Sequence, residues 1–308
     1  MLDEDFTPLR SVLDARFTDP VLKGVISAFS MCHGSPPSTV SFAAHARVAV
    51  GLHQSVGVVD GGGDALADAL TAAAERAGVD ICCGCGLETF DAIEAGTPRR
   101  AVFANGRSAT FERCLLTIHP SQMLDLMQPL HPSPAFRSRV GDFEPSIGFF
   151  VSYGEVTGEA PSRFARSVFS EFPDTDFDAL MDPRTATERP LVVIEVAGDA
   201  AARRPPSLSA LELSFPQDVV SWRESRVGCR PEAYTRYKQQ RVEAIGARIG
   251  RLVPYAERIR WTDAASMLTF RDYLHSPCGS AYGIRQKVGQ YGLFGRLPGR
   301  NLYAAGQS

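Results

Sequence analysis

The last seven residues, Leu302-Tyr303-Ala304-Ala305-Gly306-Gln307-Ser308, constrain the fold more than any other stretch of the chain. An apolar run from Asn301 to Ala305 leads straight into a glycine with a polar pair behind it. Such a run reads as a buried strand, and the glycine at its end lets a ligand come close to the backbone. The chain needs a sheet that hides this strand and a ligand that meets its end.

A chain of 308 residues suggests two domains. At 44% hydrophobic and 22% charged it is ordinary globular material with enough apolar residues for a substantial core. The net charge of -3 and the lack of a basic stripe argue against a nucleic-acid partner. No apolar stretch approaches the roughly 18 residues that span a bilayer. The acidic start, Met1-Leu2-Asp3-Glu4-Asp5, does not read as a signal peptide. Seven cysteines, an odd number, fit free thiols in a reducing compartment, so the cytoplasm is expected.

Asp19-Pro20 opens the first clear helix, with Asp19 as N-cap and Pro20 at the first helical position. Val21, Leu22, Val25, Ile26 and Phe29 form its apolar face, and Gly34 ends it. A second helix is expected over 38–53. Gly61-Gly62-Gly63 leads into a helix over 64–77, with Leu66, Leu70 and Ala73 on one face and Gly78 as stop. Val79 to Cys83 reads as a short buried strand. Asn105-Gly106 is a hairpin turn between strands over 100–104 and 108–113. Cys114 to Ile118 is a further strand, cut by Pro120. Later strands are expected over 147–153, 191–196 and 210–215. A long helix starts at Pro231, carries Tyr234, Tyr237, Val242, Ile245 and Ile249 on one face, and closes at Pro254.

Several motifs were weighed against plainer readings. Gly84-Cys85-Gly86 is not a dinucleotide fingerprint: Thr89 stands where the third glycine belongs, and Ala95-Gly96-Thr97-Pro98 interrupts any helix. Cys82, Cys83 and Cys85 lack metal spacing, and adjacent strand residues point to opposite faces, so they read as buried small hydrophobes. The six histidines are scattered, without a zinc motif. His275 with Cys278 lacks an orienting third group for a thiol nucleophile. Ser280 lacks the glycine two residues before it that a hydrolase elbow requires. Catalytic side chains stay unassigned and no metal site is expected.

Taken in order, Gly34-Ser35-Pro36-Pro37, Ser41-Phe42-Ala43-Ala44-His45-Ala46, Asp60-Gly61-Gly62-Gly63-Asp64-Ala65-Leu66-Ala67-Asp68-Ala69-Leu70, Ala265-Ser266-Met267-Leu268-Thr269-Phe270, Ser276-Pro277-Cys278-Gly279-Ser280-Ala281-Tyr282-Gly283 and Tyr303 to Ser308 are similar to consecutive blocks of a flavoprotein family. The chain resembles the phytoene desaturase, carotenoid isomerase and retinol saturase group of FAD-dependent oxidoreductases over residues 20–308. The resemblance implies an α/β fold: a partial FAD/NAD(P)-binding Rossmann-like domain plus an α+β substrate domain with a mixed or antiparallel sheet. The substrate domain is expected over 1–58 and 129–255, the FAD-binding domain over 59–128 and 256–308. Residues 79–118 and 301–305 are expected to share one sheet.

By the same resemblance, Gly61 and Gly62 lie where the chain re-enters the nucleotide-binding domain, Leu87 has its backbone toward the FAD adenine, Tyr282 and Gly283 run beside the flavin ring, and Gly306, Gln307 and Ser308 close on the cofactor. The implied substrate is an apolar, polyene-like small molecule in a cleft ending near Tyr282, with at most peripheral membrane contact. The family's phosphate-binding glycine motif has no counterpart in this sequence, nor has its final glycine turn and helix, and Met267 stands where the family usually has proline. The chain therefore reads as a fragment that holds FAD weakly or not at all by itself, with an N-terminal segment as a further partner. The alternatives are a non-catalytic apolar-ligand binder or structural remnant, and one half of a split flavoenzyme.

Overall fold

The computed structural model describes residues 3–57, 59, 61–158, 168–185, 188–198, 204–290, 292–293 and 295–306. In chain order its helices are α1 (Leu9–Arg16), α2 (Pro20–Ser27), α3 (Phe42–Gln54), α4 (Gly62–Arg76), α5 (Pro120–Leu126), α6 (Pro134–Gly141), α7 (Phe177–Leu180), α8 (Glu232–Leu252) and α9 (Met267–Leu274). The strands are β1 (Leu87–Asp91), β2 (Arg100–Phe103), β3 (Ser108–Thr110), β4 (Cys114–Leu116), β5 (Gly148–Val156), β6 (Val168–Glu171), β7 (Leu191–Val196), β8 (Ser207–Ser214), β9 (Ile259–Ala265), β10 (Gly295–Arg296) and β11 (Leu302–Ala304). This is a mixed α/β chain with antiparallel and mixed sheets, as expected.

Two compact units emerge. The first joins Met1–Ala49 with Pro145–Gln290; the second joins Val50–Glu144 with Tyr291–Ser308. These limits differ from the expected ones at three places: residues 50–58 and 129–144 fall in the second unit and 256–290 in the first. Residues 256–290 belong to the first unit because β9 pairs antiparallel with β5. Residues 129–144 belong to the second because α6 supplies Val140 to that unit's core.

The first unit is built on a five-stranded antiparallel sheet, ordered β6-β7-β8-β5-β9. Alternate residues of β5 face opposite sides. Phe150 packs with Ile245 and Ile249 of α8, and Phe149 and Val151 pack with Met31, Phe177 and Leu213. A sheet covered on both faces explains the unbroken apolar run Ile147 to Val151. α8 starts after Pro231, as expected, and is fastened by charge: Arg248 bonds Glu171 at 2.7 Å and Glu212 at 2.9 Å, and Arg241 also reaches Glu212.

α2 is capped by the Asp19 carboxylate, which accepts from the Val21 and Leu22 amides. Its expected apolar face packs only in part: Ile26 joins the cluster of Leu9, Leu13 and Val40, but Val21, Leu22 and Val25 are exposed. Gly24 is the contact point: a methyl there would lie 3.1 Å from Thr175, so the helix packs by its small residue. Helical chain also ends earlier than expected, at Ser27, and a 3-10 turn carries it to Gly34, whose φ of 63° stops it.

The second unit holds two three-stranded sheets. β1-β2-β3 is antiparallel, with the Asn105-Gly106 turn where expected. In β10-β11-β4 the pairing of β11 with β4 is parallel. One sheet over 79–118 and 301–305 was expected; the structure divides it, and only β4 joins β11. Val79 to Cys83 is irregular rather than a buried strand, with Val79 and Ile81 exposed. No described strand lies beside this run to bond it and cover its side chains. The core gathers Phe90, Leu116, Met123, Met127, Val140 and Leu302. α4 contributes nothing to it: none of its residues is buried, and Leu66 and Leu70 are 48% and 62% exposed.

Candidate functional site

Within the second unit, the strand pair β4 and β11 sets the end of the chain. Asn301 enters β11 buried and donates through its side-chain amide to the carbonyls of Pro98 at 2.8 Å and Glu112 at 2.9 Å. It ties the start of β11 to the segments on either side of β2 and β3. Beyond Ala304, the Ala305 amide bonds the Leu116 carbonyl at 3.0 Å. Gly306 follows with φ of 120°, a conformation that L side chains rarely adopt, and a methyl there would lie 3.7 Å from the Thr117 carbonyl. The parallel pair therefore ends at an exposed glycine, with Thr117 beside it among the described residues. Gln307 and Ser308 lie outside the described residues.

Gly61 and Gly62 cap α4, both with positive φ. A side chain on Gly62 would meet nothing within 4 Å, so its backbone is open to a ligand. Asp64 in the first turn places negative charge where the helix N-terminus would otherwise favour an anion. The pair suits close backbone approach better than phosphate capture. Leu87 opens β1 opposite Phe103, at a register irregularity between Leu87 and Thr89. It belongs to the antiparallel sheet, so the structure does not bring it into the sheet that carries Gly306. Gly84-Cys85-Gly86 runs into β1, not into a helix, which upholds its rejection as a fingerprint.

Tyr282 and Gly283 lie in the first unit. The segment 280–284 is clamped to the start of β5: Ala281 N donates to Ile147 O at 2.8 Å, Tyr282 N to Ser146 Oγ at 2.9 Å, and Ser146 N to Gly283 O at 2.9 Å. The Tyr282 ring stands edge-on to Phe149, 6.0 Å away. Burial pushes its phenol up to about 12, and the Cys32 thiol nearby adds to the shift. Gly34 is pressed onto Ser146, since a methyl there would lie 2.5 Å from the Ser146 Cβ. The turn after α2, the start of β5 and the Tyr282 segment thus meet at Ser146. Sequence reasoning missed Ser146, His33, Ser35 and His45. The signal was polar residues inside otherwise apolar surroundings, and the scatter of the histidines hid it.

Among the described residues no group of three or more His, Cys, Asp or Glu side chains is placed to hold a metal. The cysteine reading needs correction. Cys82 and Cys83 are exposed, and Cys85 is half-buried with the Asn105 amide 3.3 Å from its sulfur. Their strand was the premise for burying them, and it does not form. Met267 opens α9, fully buried, behind Ser266, whose hydroxyl accepts from the Leu268 amide. It occupies a first helical position, where proline is also at home.

One cavity of the first unit, about 1020 Å³, is lined by Arg230, Tyr234, Lys238, Trp261, Asp263 and Tyr273. A smaller one, about 200 Å³, lies among Arg10, Asp14, Lys23, Asp176 and Asp178. Both are of mixed polarity and neither includes Tyr282, which sits instead in the apolar cluster of Met31, Phe149 and Phe177. Among the described residues no helix is long and apolar enough to cross a membrane.

No family model matches the chain. No curated protein matches it either. Solved structures do. An oxidoreductase from Methanosarcina mazei matches with a TM-score of 0.63 at 15% identity, over 98% of this chain and 63% of its own. Cyclohexylamine oxidase from Brevibacterium oxydans IH-35A matches with a TM-score of 0.52 at 11% identity, over 99% of this chain and 62% of its own. The chain thus spans under two thirds of the length of each, and at these identities the likeness is one of fold.

Proposed function

We propose that the chain is part of an FAD-dependent oxidoreductase of desaturase, isomerase or saturase type, acting on an apolar polyene-like substrate. The observation that carries this reading is the parallel β4–β11 pair ending at an exposed Gly306 with positive φ. The fold likeness to two oxidoreductase structures supports it. The residues present leave backbone accessible: a methyl on Gly62 would meet nothing within 4 Å, one on Gly306 would meet Thr117 no nearer than 3.7 Å, and Gly61 caps α4. In this reading Gly61, Gly62, Leu87 and Gly306 hold FAD from the second unit, with Gln307 and Ser308 beyond. By resemblance alone, Tyr282 and Gly283 are candidates for the flavin side. When bound, FAD supplies the hydride chemistry; the chain's own groups orient the reactants and keep water out. No side chain is assigned a catalytic role. The seven free cysteines favour a reducing, cytoplasmic setting.

A second reading, a split enzyme completed by another polypeptide segment, is favoured by α4, whose apolar residues Leu66 and Leu70 have nothing over them. In either reading the 308 residues alone hold FAD weakly or not at all. The test is a titration of FAD with the purified chain, followed by flavin fluorescence. Weak, saturable quenching is expected, falling on the order of tenfold in Gly306→Val and Gly62→Val but not in Gly289→Val, which lies in the other unit. Equal saturable binding by all four proteins sinks the proposal, and no saturable binding leaves only the split-enzyme reading.

A further inference from the structure

We propose that Cys82 and Cys85 form a redox-active dithiol, a site of exchange with a low-molecular-weight disulfide such as that of glutathione. The run Ile81-Cys82-Cys83-Gly84-Cys85-Gly86 leads into β1 without itself joining a strand. Cys83 and Gly84 are the central residues of a tight turn, and Cys82 and Cys85 are its ends. A four-residue turn brings its end Cα atoms within about 7 Å, and a disulfide spans about 4.4–6.8 Å. Gly84 has φ of 68°, the sign that the third position of a type II turn requires. A methyl there would meet nothing within 4 Å, so backbone stereochemistry alone asks for glycine. Cys85 is half-buried and held: the Asn105 side-chain amide donates to its sulfur at 3.3 Å. That amide is set in direction by its own oxygen, which accepts from the Arg107 N–H at 3.1 Å. Next to Cys85, the Gly86 carbonyl accepts from the Ala104 amide at 2.9 Å. Cys82 is exposed and open to a reagent.

Other uses of these thiols fit less well. Zinc takes four ligands, and among the described residues no three His, Cys, Asp or Glu side chains are placed to hold a metal. Adjacent residues such as Cys82 and Cys83 have Cα atoms about 3.8 Å apart, too close for an unstrained disulfide. The exchange needs one accessible thiol and one held beside it. The Cys82 thiolate attacks one sulfur of the small disulfide, forming a mixed disulfide and expelling one thiolate. Cys85 then attacks the Cys82 sulfur and expels the second. The two protein thiols lose two electrons and two protons, and the small disulfide gains them and leaves as two thiols. In a reducing compartment such a bond is transient, which suits a redox-sensing site better than a structural one. The pair does not depend on FAD for this chemistry.

The experiment exposes the reduced 308-residue chain to glutathione disulfide and reads the product by mass spectrometry. Remaining thiols are capped with iodoacetamide, and trypsin releases residues 77–99 as one peptide that holds all three cysteines. That peptide should lack two hydrogens and carry a single cap, on Cys83, and dithiothreitol before capping should restore three caps. Cys83→Ser should keep the bond, Cys82→Ser should lose it, and Cys85→Ser should stop at a glutathione adduct on Cys82. Gly84→Ala should lower the ratio of oxidised to reduced pair at fixed glutathione by roughly tenfold, because alanine resists positive φ. The variants lie on an exposed turn, and circular dichroism checks their folding. Three caps after exchange, a stable adduct on the unsubstituted peptide, a cap on Cys82 or Cys85 in place of Cys83, or a bond between two chains overturns the pair. Undiminished oxidation of Gly84→Ala overturns the turn as its cause. Zinc that resists EDTA and shields the thiols overturns the redox reading in favour of a metal site.

Discussion

Replacing Gly279 with alanine tests the packing beneath the Tyr282 segment. Gly279 has φ of 71°, and a methyl built on it would sit 2.0 Å from the carbonyl oxygen of Met267 and 2.6 Å from its carbonyl carbon. Those atoms are backbone at the start of α9, whose first residue is fully buried, so neither can swing aside. Gly148 closes the same contact from β5: a methyl there would lie 2.8 Å from the Gly279 carbonyl. Left-handed backbone costs an alanine about 1–2 kcal/mol. Forcing an extra carbon into a packed site costs about 1–3 kcal/mol more. Gly279→Ala should therefore destabilise the first unit by about 2–5 kcal/mol, lowering its melting temperature by roughly 5–15 °C. Gly289→Ala is the control: φ is 81°, but nothing lies within 4 Å, so only the backbone cost of about 1–2 kcal/mol applies. Thermal and urea melts followed by circular dichroism compare the two. If Gly279→Ala is no less stable than Gly289→Ala, the three backbone segments do not meet as described.

Two further predictions follow from buried polar groups. The His33 imidazole falls from its usual 6.5 to about 4 on folding, so the folded state binds fewer protons. That contribution is complete above pH 6.5 and is lost as pH falls toward 4, a change of about 3 kcal/mol. His33→Gln should flatten the drop in urea midpoint between pH 7 and pH 4, and an unchanged drop refutes the assignment. Asn301 donates to two carbonyls, so Asn301→Ala should cost about 2–4 kcal/mol by urea melt. Asn301→Asp should do no better, since a carboxylate cannot donate; a wild-type melt for Asn301→Asp would show that the two bonds do not hold β11.

What could be read from the sequence was local and self-contained. β7 was expected over 191–196 and forms there, because a short β-branched run directly after Pro190 marks a strand without outside help. The Asn105-Gly106 turn and the Pro231 start of α8 carry their own stereochemistry. α1 went unseen: Pro8 caps it without a side-chain bond, and its eight residues bury only Leu9 and Leu13. β9 had a signal that was passed over, Ile259 and Trp261 alternating with Arg260 and Thr262, masked by the charges on its exposed face.

The misreadings share a cause. Val79 to Cys83, the outer face of α2 and the Leu66–Leu70 face of α4 are all apolar, and all are exposed. An apolar stripe states that a residue gains by burial; it does not supply the surface that buries it. α2 packs through Gly24, which no hydrophobic pattern marks, because close approach needs the absence of a side chain. The same logic hid the polar junction. Ser146 holds a segment 136 residues away by two bonds, its hydroxyl accepting from the Tyr282 amide and its own amide donating to the Gly283 carbonyl, and His33 and His45 meet across a turn. Ser146 reads as an ordinary strand-entry serine until Gly34 and Tyr282 are placed beside it. Glycines with crowded surroundings, here Gly24, Gly34, Gly148 and Gly279, are therefore the better guides to where distant segments of this chain converge. Three of these four lie within five residues of Ser146, Tyr282 or His33, which is why the convergence coincides with the buried polar groups and not with the larger cavities.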